Sequence, residues 1–233
     1  MKKFLVFGAG VLGSLYAARL KQSGQDVTIL ARKTRLEDIK EHGIVLEHAL
    51  SGKREVVTVT VVEHLHEDDA YDLIVVLVRK NQVASVLPIL ASHKATPNIL
   101  FMVNNPSGYD DWVSAVGTER LVLGFAGAGG TLVGNIVRYV VVSRFLQPTT
   151  FGELDGSATP RIKEIVFFAA RNSQRLLHPI WMPGRKPMSG GSVRSRMRFT
   201  WLTVTTIRWR AVLTSYGWSY GLYVRIFEEF SGW

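Results

Sequence analysis

The chain has no cysteine, which removes any disulfide framework. No stretch approaches the ~18 uninterrupted apolar residues that a membrane span requires. There is no Gly-x-Ser-x-Gly elbow to place a serine nucleophile. Histidines stand at 42, 48, 64, 66, 93 and 178. Only His64 and His66 are close, and Glu63, Glu67, Asp68 and Asp69 around them read as solvated surface, so no metal is expected. Lys2-Lys3 ahead of an apolar stretch resembles a secretory start, but three glycines interrupt that stretch and no small-x-small cleavage site follows. A cytoplasmic protein with no membrane partner is the expectation. Acid is missing too: none occurs between Glu164 and Glu228.

What is present begins at the N-terminus. Phe4-Leu5-Val6-Phe7 is a short apolar strand that runs into Gly8-Ala9-Gly10-Val11-Leu12-Gly13 and then into a helical pattern. Glycines spaced G-x-G-x-x-G between a strand and a helix form a dinucleotide-binding turn. Gly8 permits the tight turn, Gly10 lets backbone approach a diphosphate, and Gly13 lets the helix pack closely on the strand. The phosphates would sit on free N–H groups at the helix N-terminus, those of Val11 and Leu12, where the macrodipole favours negative charge. The helix reads from Val11 to about Ser23, with one apolar face and Gly24 closing it. The strand Asp26 to Ala31 completes a unit of the ~30 residues such a motif needs.

The end of the second strand selects the cofactor. A carboxylate there would bind the ribose hydroxyls of NAD, but the chain places Arg32 and Lys33, with no acid until Glu37. A guanidinium suits a 2′-phosphate by charge and by paired hydrogen bonds, so NADP is expected, against the plainer reading of a solvated basic loop.

Strand and helix patterns then alternate. Strands are expected at Val56 to Val62, Asp72 to Val78, Asn98 to Val103, Leu121 to Phe125, Ile136 to Val142 and Thr149 to Gly152. Helices are expected at Gln82 to His93 and Asp110 to Val116, with a glycine-rich bend at Gly127 to Gly130. This is the pattern of an α/β protein with a doubly wound, mostly parallel sheet. Ligands bind such sheets beyond the carboxyl ends of the strands, which singles out Arg79, Lys80, Asn81 and Gln82 after one strand and Asn104, Asn105 and Ser107 after another. Helix starts and turn chemistry would use the same residue types.

Taken together, GAGVLGSLYAARL, Arg32, the Arg79-to-Gln82 turn, the Asn104-Asn105 turn and Phe151-Gly152-Glu153-Leu154-Asp155-Gly156 resemble the ketopantoate reductase family over about the first 170 residues. The resemblance implies a Rossmann-type domain, NADPH, and reduction of a small 2-keto acid, with a helical second domain carrying the proton donor. Arg79 falls where the family has a lysine lining the site, and Gln82 matches a glutamine on the cofactor side. Asn105 matches the asparagine of a Gln-Asn-Gly turn beside the nicotinamide, with Asn104 and Pro106 replacing its neighbours. These departures point to a related reductase subgroup rather than to ketopantoate as substrate. Asn105 and Arg79 are the candidates on the substrate side.

Beyond the nucleotide domain, taken as residues 1–172, the pattern breaks. Residues 1–160 hold 16 basic and 16 acidic groups, whereas residues 161–233 hold 12 and 3, which supplies the whole net charge of +9. Five of six tryptophans also lie beyond residue 180. Residues 173–233 therefore read as an incomplete or aberrant, basic, Trp-rich segment. Nucleic-acid or membrane binding and a disordered extension are two explanations. The favoured third is a frameshift between about Ala170 and His178. Shifting the possible codons of His178 to Pro187 by two bases permits Pro-Asp-Met-Asp-Ala-Trp-Ala-Lys-Thr-His, which resembles the start of the family's helical domain with its general-acid lysine. That codon would be split across Arg185 and Lys186, and Lys186 itself is not expected to be catalytic. The expectation is a reductase by ancestry, with a catalytically silent NADP-binding module as the alternative. An uncovered apolar face would favour self-association as a homo-oligomer.

Overall fold

The computed structural model describes residues 1–105, 107–141, 149–170 and 180–181, apart from the side chains of 166, 168–170 and 180–181. The chain divides into two compact units, Met1–Asn105 with Tyr109–Arg185, and Pro106–Gly108 with Lys186–Trp233. Almost everything described belongs to the first.

Its elements run β1 (Lys3–Phe7), α1 (Val11–Gln22), β2 (Asp26–Leu30), α2 (Thr34–His42), β3 (Ile44–His48), β4 (Arg54–Val57), β5 (Thr60–Val62) and β6 (Leu73–Val76). There follow α3 (Lys80–Ser92), β7 (Ile99–Phe101), α4 (Asp110–Val116), β8 (Leu121–Phe125), β9 (Ala128–Val133), β10 (Ile136–Val141), β11 (Thr150–Gly152), α5 (Pro160–Ala170) and β12 (Ile180–Trp181). The large sheet has the order β12-β11-β8-β7-β6-β1-β2-β5 and is parallel except for the antiparallel β8–β11 pair. A small sheet has the order β4-β3-β10-β9.

The large sheet is covered on both faces, which explains why its strands are continuous apolar runs. Along β1, Phe4 and Val6 enter one core with Leu15, Ala18, Ile29 and Val75, while Leu5 and Phe7 enter the other with Ile74, Val86, Leu90 and Phe101. In that second core Trp112 stacks on Phe101 with ring centroids 4.6 Å apart. The first core extends through α1 into Ile44, Leu46 and Val137 of the small sheet.

Helix α1 is therefore sandwiched between two sheets, and residues 13–18 are buried all round, where an apolar stripe on one face was expected. Its polar positions are tied in. Arg19 donates to Tyr139 Oη at 2.5 Å and pairs with Glu55 at 2.5 Å, and Tyr16 Oη meets Thr149 Oγ1 at 2.7 Å. Burial pushes the Tyr16 hydroxyl's pKa up.

Two further expectations need correction. The strand expected over Val56 to Val62 is interrupted at Thr58-Val59: β4 pairs with β3 in the small sheet and β5 with β2 in the large one. The glycine-rich bend is confined to Gly127, and Ala128 already starts β9. A Cβ at Gly130 would lie 2.2 Å from the Arg138 carbonyl oxygen, so glycine there permits the close β9–β10 approach.

Candidate functional site

Parallel pairing brings the carboxyl ends of β1, β2, β6 and β7 to one edge. Phe7 is in register with Leu30 and Val76, and Val76 with Phe101. From β1 the chain moves to β2 on one side and later to β6 on the other, so the strand order reverses at β1/β6. An open α/β sheet leaves a ligand crevice at such a point.

The glycine turn lies at that edge, between β1 and α1. Gly8 has φ +113°, and a Cβ there would meet the Leu77 carbonyl oxygen at 2.7 Å and Val78 Cγ1 at 3.0 Å. A Cβ on Gly13 would lie 1.8 Å from the Gly8 carbonyl oxygen, so α1 can start this close to β1 only without a side chain. Gly10 differs: nothing lies within 4 Å of where its Cβ would be, and it is exposed. Two glycines of the motif are thus required by protein backbone, while the third faces free space. Gly10 is the N-cap of α1 and supplies no side chain to its first turn, where Val11 and Leu12 are half-buried. A group with acceptor oxygens, such as a diphosphate, fits this end of the helix.

At the end of β2, Arg32 and Lys33 are both exposed. Lys33 is the N-cap of α2 at φ +52°, the one positive φ on a non-glycine residue among those described. That left-handed conformation is costly for a side-chain-bearing residue and tends to cluster at ligand sites. No side chain caps α2. Two cations beside an uncapped helix N-terminus suit a phosphate.

On the other side of β1, Arg79 is the exposed N-cap of α3, and its N–H donates to Gln82 Oε1 at 3.0 Å. Gln82, placed by resemblance on the cofactor side, thus also caps its own helix. Asn104 is exposed and Asn105 half-buried just past β7. A Cβ on Gly8 would run into the Leu77 backbone, and Arg79, Asn104 and Asn105 follow adjacent strands at the same edge. Lys186 and Arg185 lie outside the described residues.

Arg35 was not singled out by its sequence position. It lies in the first turn of α2, yet its side chain crosses to the glycine turn. Nε donates to Ala9 O at 3.1 Å, Nη2 to Ser14 Oγ at 3.0 Å, and Nη1 to Asn135 O at 3.2 Å. Burial lowers its pKa and Asp38, 3.9 Å away, acts against that. The overlooked signal is a cation in a helix's first turn, where the macrodipole disfavours it unless the side chain is committed elsewhere.

Fold and edge together define an α/β protein of the Rossmann type, with a glycine turn at the strand-order reversal. The family described as ketopantoate reductase PanE/ApbA matches residues 4–156, and the chain belongs to that family. Among curated relatives, the uncharacterized oxidoreductase YkpB of Bacillus subtilis (strain 168) is 28% identical over 167 residues, 70% of this chain and 52% of that protein. The 2-dehydropantoate 2-reductase of Listeria monocytogenes serovar 1/2a is 24% identical over 118 residues, 51% and 39% respectively. The chain thus spans about half the length of the curated relatives it matches, or less. Among solved structures, the 2-dehydropantoate 2-reductase of Geobacter metallireducens GS-15 matches with TM-score 0.60 and 20% identity, covering 71% of this chain and 54% of that one. D-mandelate dehydrogenase in a ternary structure with NADH and anilino(oxo)acetate matches with TM-score 0.61 and 22% identity, covering 76% and 56%.

Proposed function

We propose that the chain binds NADP(H) at the β1/β6 crevice and is the nucleotide-binding part of a reductase of small 2-keto acids. The observation that carries this reading is the division of labour among the glycines: Gly8 and Gly13 are dictated by backbone contacts, whereas Gly10 faces open space. The N–H groups of Val11 and Leu12 hold the diphosphate. Arg32 and Lys33 take the 2′-phosphate, which favours NADP over NAD. Arg79, Gln82, Asn104 and Asn105 line the nicotinamide side, with Asn105 and Arg79 nearest the substrate.

Bound cofactor would supply the hydride. The keto oxygen must then receive a proton from a group within hydrogen-bond reach. By family resemblance that group is a lysine of a second, helical domain, and in our reading residues 173–233 stand in place of that domain as a frameshift product. A second reading, a catalytically silent NADP-binding module, is favoured by the sequence of residues 173–233, where the charge balance departs from that of residues 1–160 and Lys186 stands between Arg185 and Pro187.

Fluorescence titration with NADPH and NADH, followed by NADPH oxidation over a panel of 2-keto acids, separates these readings. Tighter NADPH than NADH binding, lost in Arg32→Ala, supports the cofactor assignment. Turnover supports the reductase, and binding without turnover supports the silent module. Equal affinity for both dinucleotides contradicts the role of Arg32. The gene's nucleotide sequence tests the frameshift.

A further inference from the structure

Arg35 hydrogen-bonds the nucleotide turn from outside the glycine motif. A glycine-rich turn gains its ligand-binding geometry at the cost of conformational freedom, because nothing in the glycines restrains their own torsions. Here the restraint comes from outside the motif. Ala9 O, in the middle of the turn, accepts from Arg35 Nε at 3.1 Å and from Ser14 Oγ at 3.2 Å. Ser14 Oγ accepts in turn from Arg35 Nη2, and Ser14 N–H donates to Gly10 O at 2.9 Å. The third guanidinium nitrogen reaches the backbone of Asn135, between β9 and β10, and so ties the turn to the small sheet. Ser14 is fully buried, and the Arg35 side chain is 13% exposed.

We infer that Arg35 is the positioning residue of the nucleotide turn, fixing the Ala9 and Gly10 backbone so that the N–H groups of Val11 and Leu12 present themselves to the dinucleotide's diphosphate. This rests on the reading that the turn binds NADP(H). The role needs a planar fork with several donors. A lysine retains the charge but cannot reach Ala9 O, Ser14 Oγ and Asn135 O together.

The test compares the full chain with Arg35→Met, Arg35→Lys and Ser14→Ala, titrating each with NADPH and with adenosine 2′-monophosphate, which has the 2′-phosphate but no diphosphate. Arg35→Met and Arg35→Lys should both weaken NADPH binding by at least about tenfold. Ser14→Ala should weaken it several-fold, and it carries the test if the Arg35 variants do not fold. Adenosine 2′-monophosphate should bind all folded variants within about twofold of the parent. Parental NADPH affinity in Arg35→Met, or in Ser14→Ala, overturns the inference. Full recovery by lysine overturns it as well, since charge alone would then suffice. Equal loss of both ligands also overturns it, showing general damage rather than positioning. A parent chain that binds adenosine 2′-monophosphate but not NADPH, or neither, instead removes the reading of the turn on which the inference stands.

Discussion

Substituting alanine at two glycines of the same motif should give opposite results. At Gly13 the new methyl would lie 1.8 Å from the Gly8 carbonyl oxygen, 2.9 Å from its carbonyl carbon and 3.6 Å from Val6 Cγ1. The two closest contacts are backbone, so relief requires α1 to move off β1, and α1 is clamped on its other side by the small sheet. Overpacking of this kind costs about 1–3 kcal/mol, and with 1 kcal/mol worth roughly 2–4 °C in a domain of this size, Gly13→Ala should melt roughly 2–12 °C below the parent. At Gly10 the methyl meets nothing, and the backbone, φ −72° and ψ −167°, is open to alanine. Restricting the unfolded chain should then stabilise Gly10→Ala by about 0.4–1 kcal/mol. The same methyl occupies the space through which a diphosphate must approach, so NADPH affinity should fall by more than about tenfold. Melting followed by circular dichroism, with NADPH titration on the same samples, reads both effects. A Gly13→Ala protein with parental melting refutes the packing argument. A Gly10→Ala protein with parental NADPH affinity refutes the assignment of the open space to a ligand.

Glu153 and Arg161 tie α5 to β8: Arg161 donates to both carboxylate oxygens, Nε to Oε1 at 2.7 Å, and also to the backbone of Glu119 and Leu121. Glu153→Gln should destabilise by about 1–3 kcal/mol, read as a lower urea midpoint at unchanged slope; an unchanged midpoint would contradict the anchoring role. His93 is buried between His66 O, 3.1 Å from Nδ1, and Thr96 Oγ1, 2.8 Å from Nε2, an arrangement that suits the neutral ring. Burial lowers its pKa from 6.5, the Arg120 guanidinium lowers it further, and the His66 carbonyl, Asp69 and Glu67 oppose this. The unfolded chain therefore takes up the proton first, and stability should decline as pH drops below about 6.5. Urea midpoints at pH 7 and pH 5 should show this decline in the parent and less of it in His93→Gln; equal declines would remove His93 from the account. Arg19 joins α1 to Tyr139 at 2.5 Å, and Tyr139→Phe should cost about 1 kcal/mol by urea unfolding, with no change expected only if that bond is dispensable.

The first β-α-β unit was legible because local and global requirements coincide there: β1 is a continuous apolar strand, and the glycine spacing marks the tight turn at Gly8 and the close helix approach at Gly13. The small sheet was not legible, since its pairings depend on distant segments. Strand β10 pairs in parallel with β3, which lies some 90 residues earlier, and the exposed, glycine-rich β9 shows no alternation to mark it as a strand. Helix α2 escaped notice because only Leu36 and Ile39 of its nine residues are buried. The candidate site divides similarly. Residues following strands could be named from order alone, whereas Arg35 acts through a side chain that leaves its own helix, and spacing along a chain carries no record of that.

Crystallising the chain with NADPH would test the central claim most directly. The account predicts the diphosphate about 3 Å from the N–H groups of Val11 and Leu12, beside Gly10, with the 2′-phosphate against Arg32 and Lys33. A dinucleotide seated elsewhere on the protein, with the β1/β6 crevice filled by the chain's own side chains, would contradict it.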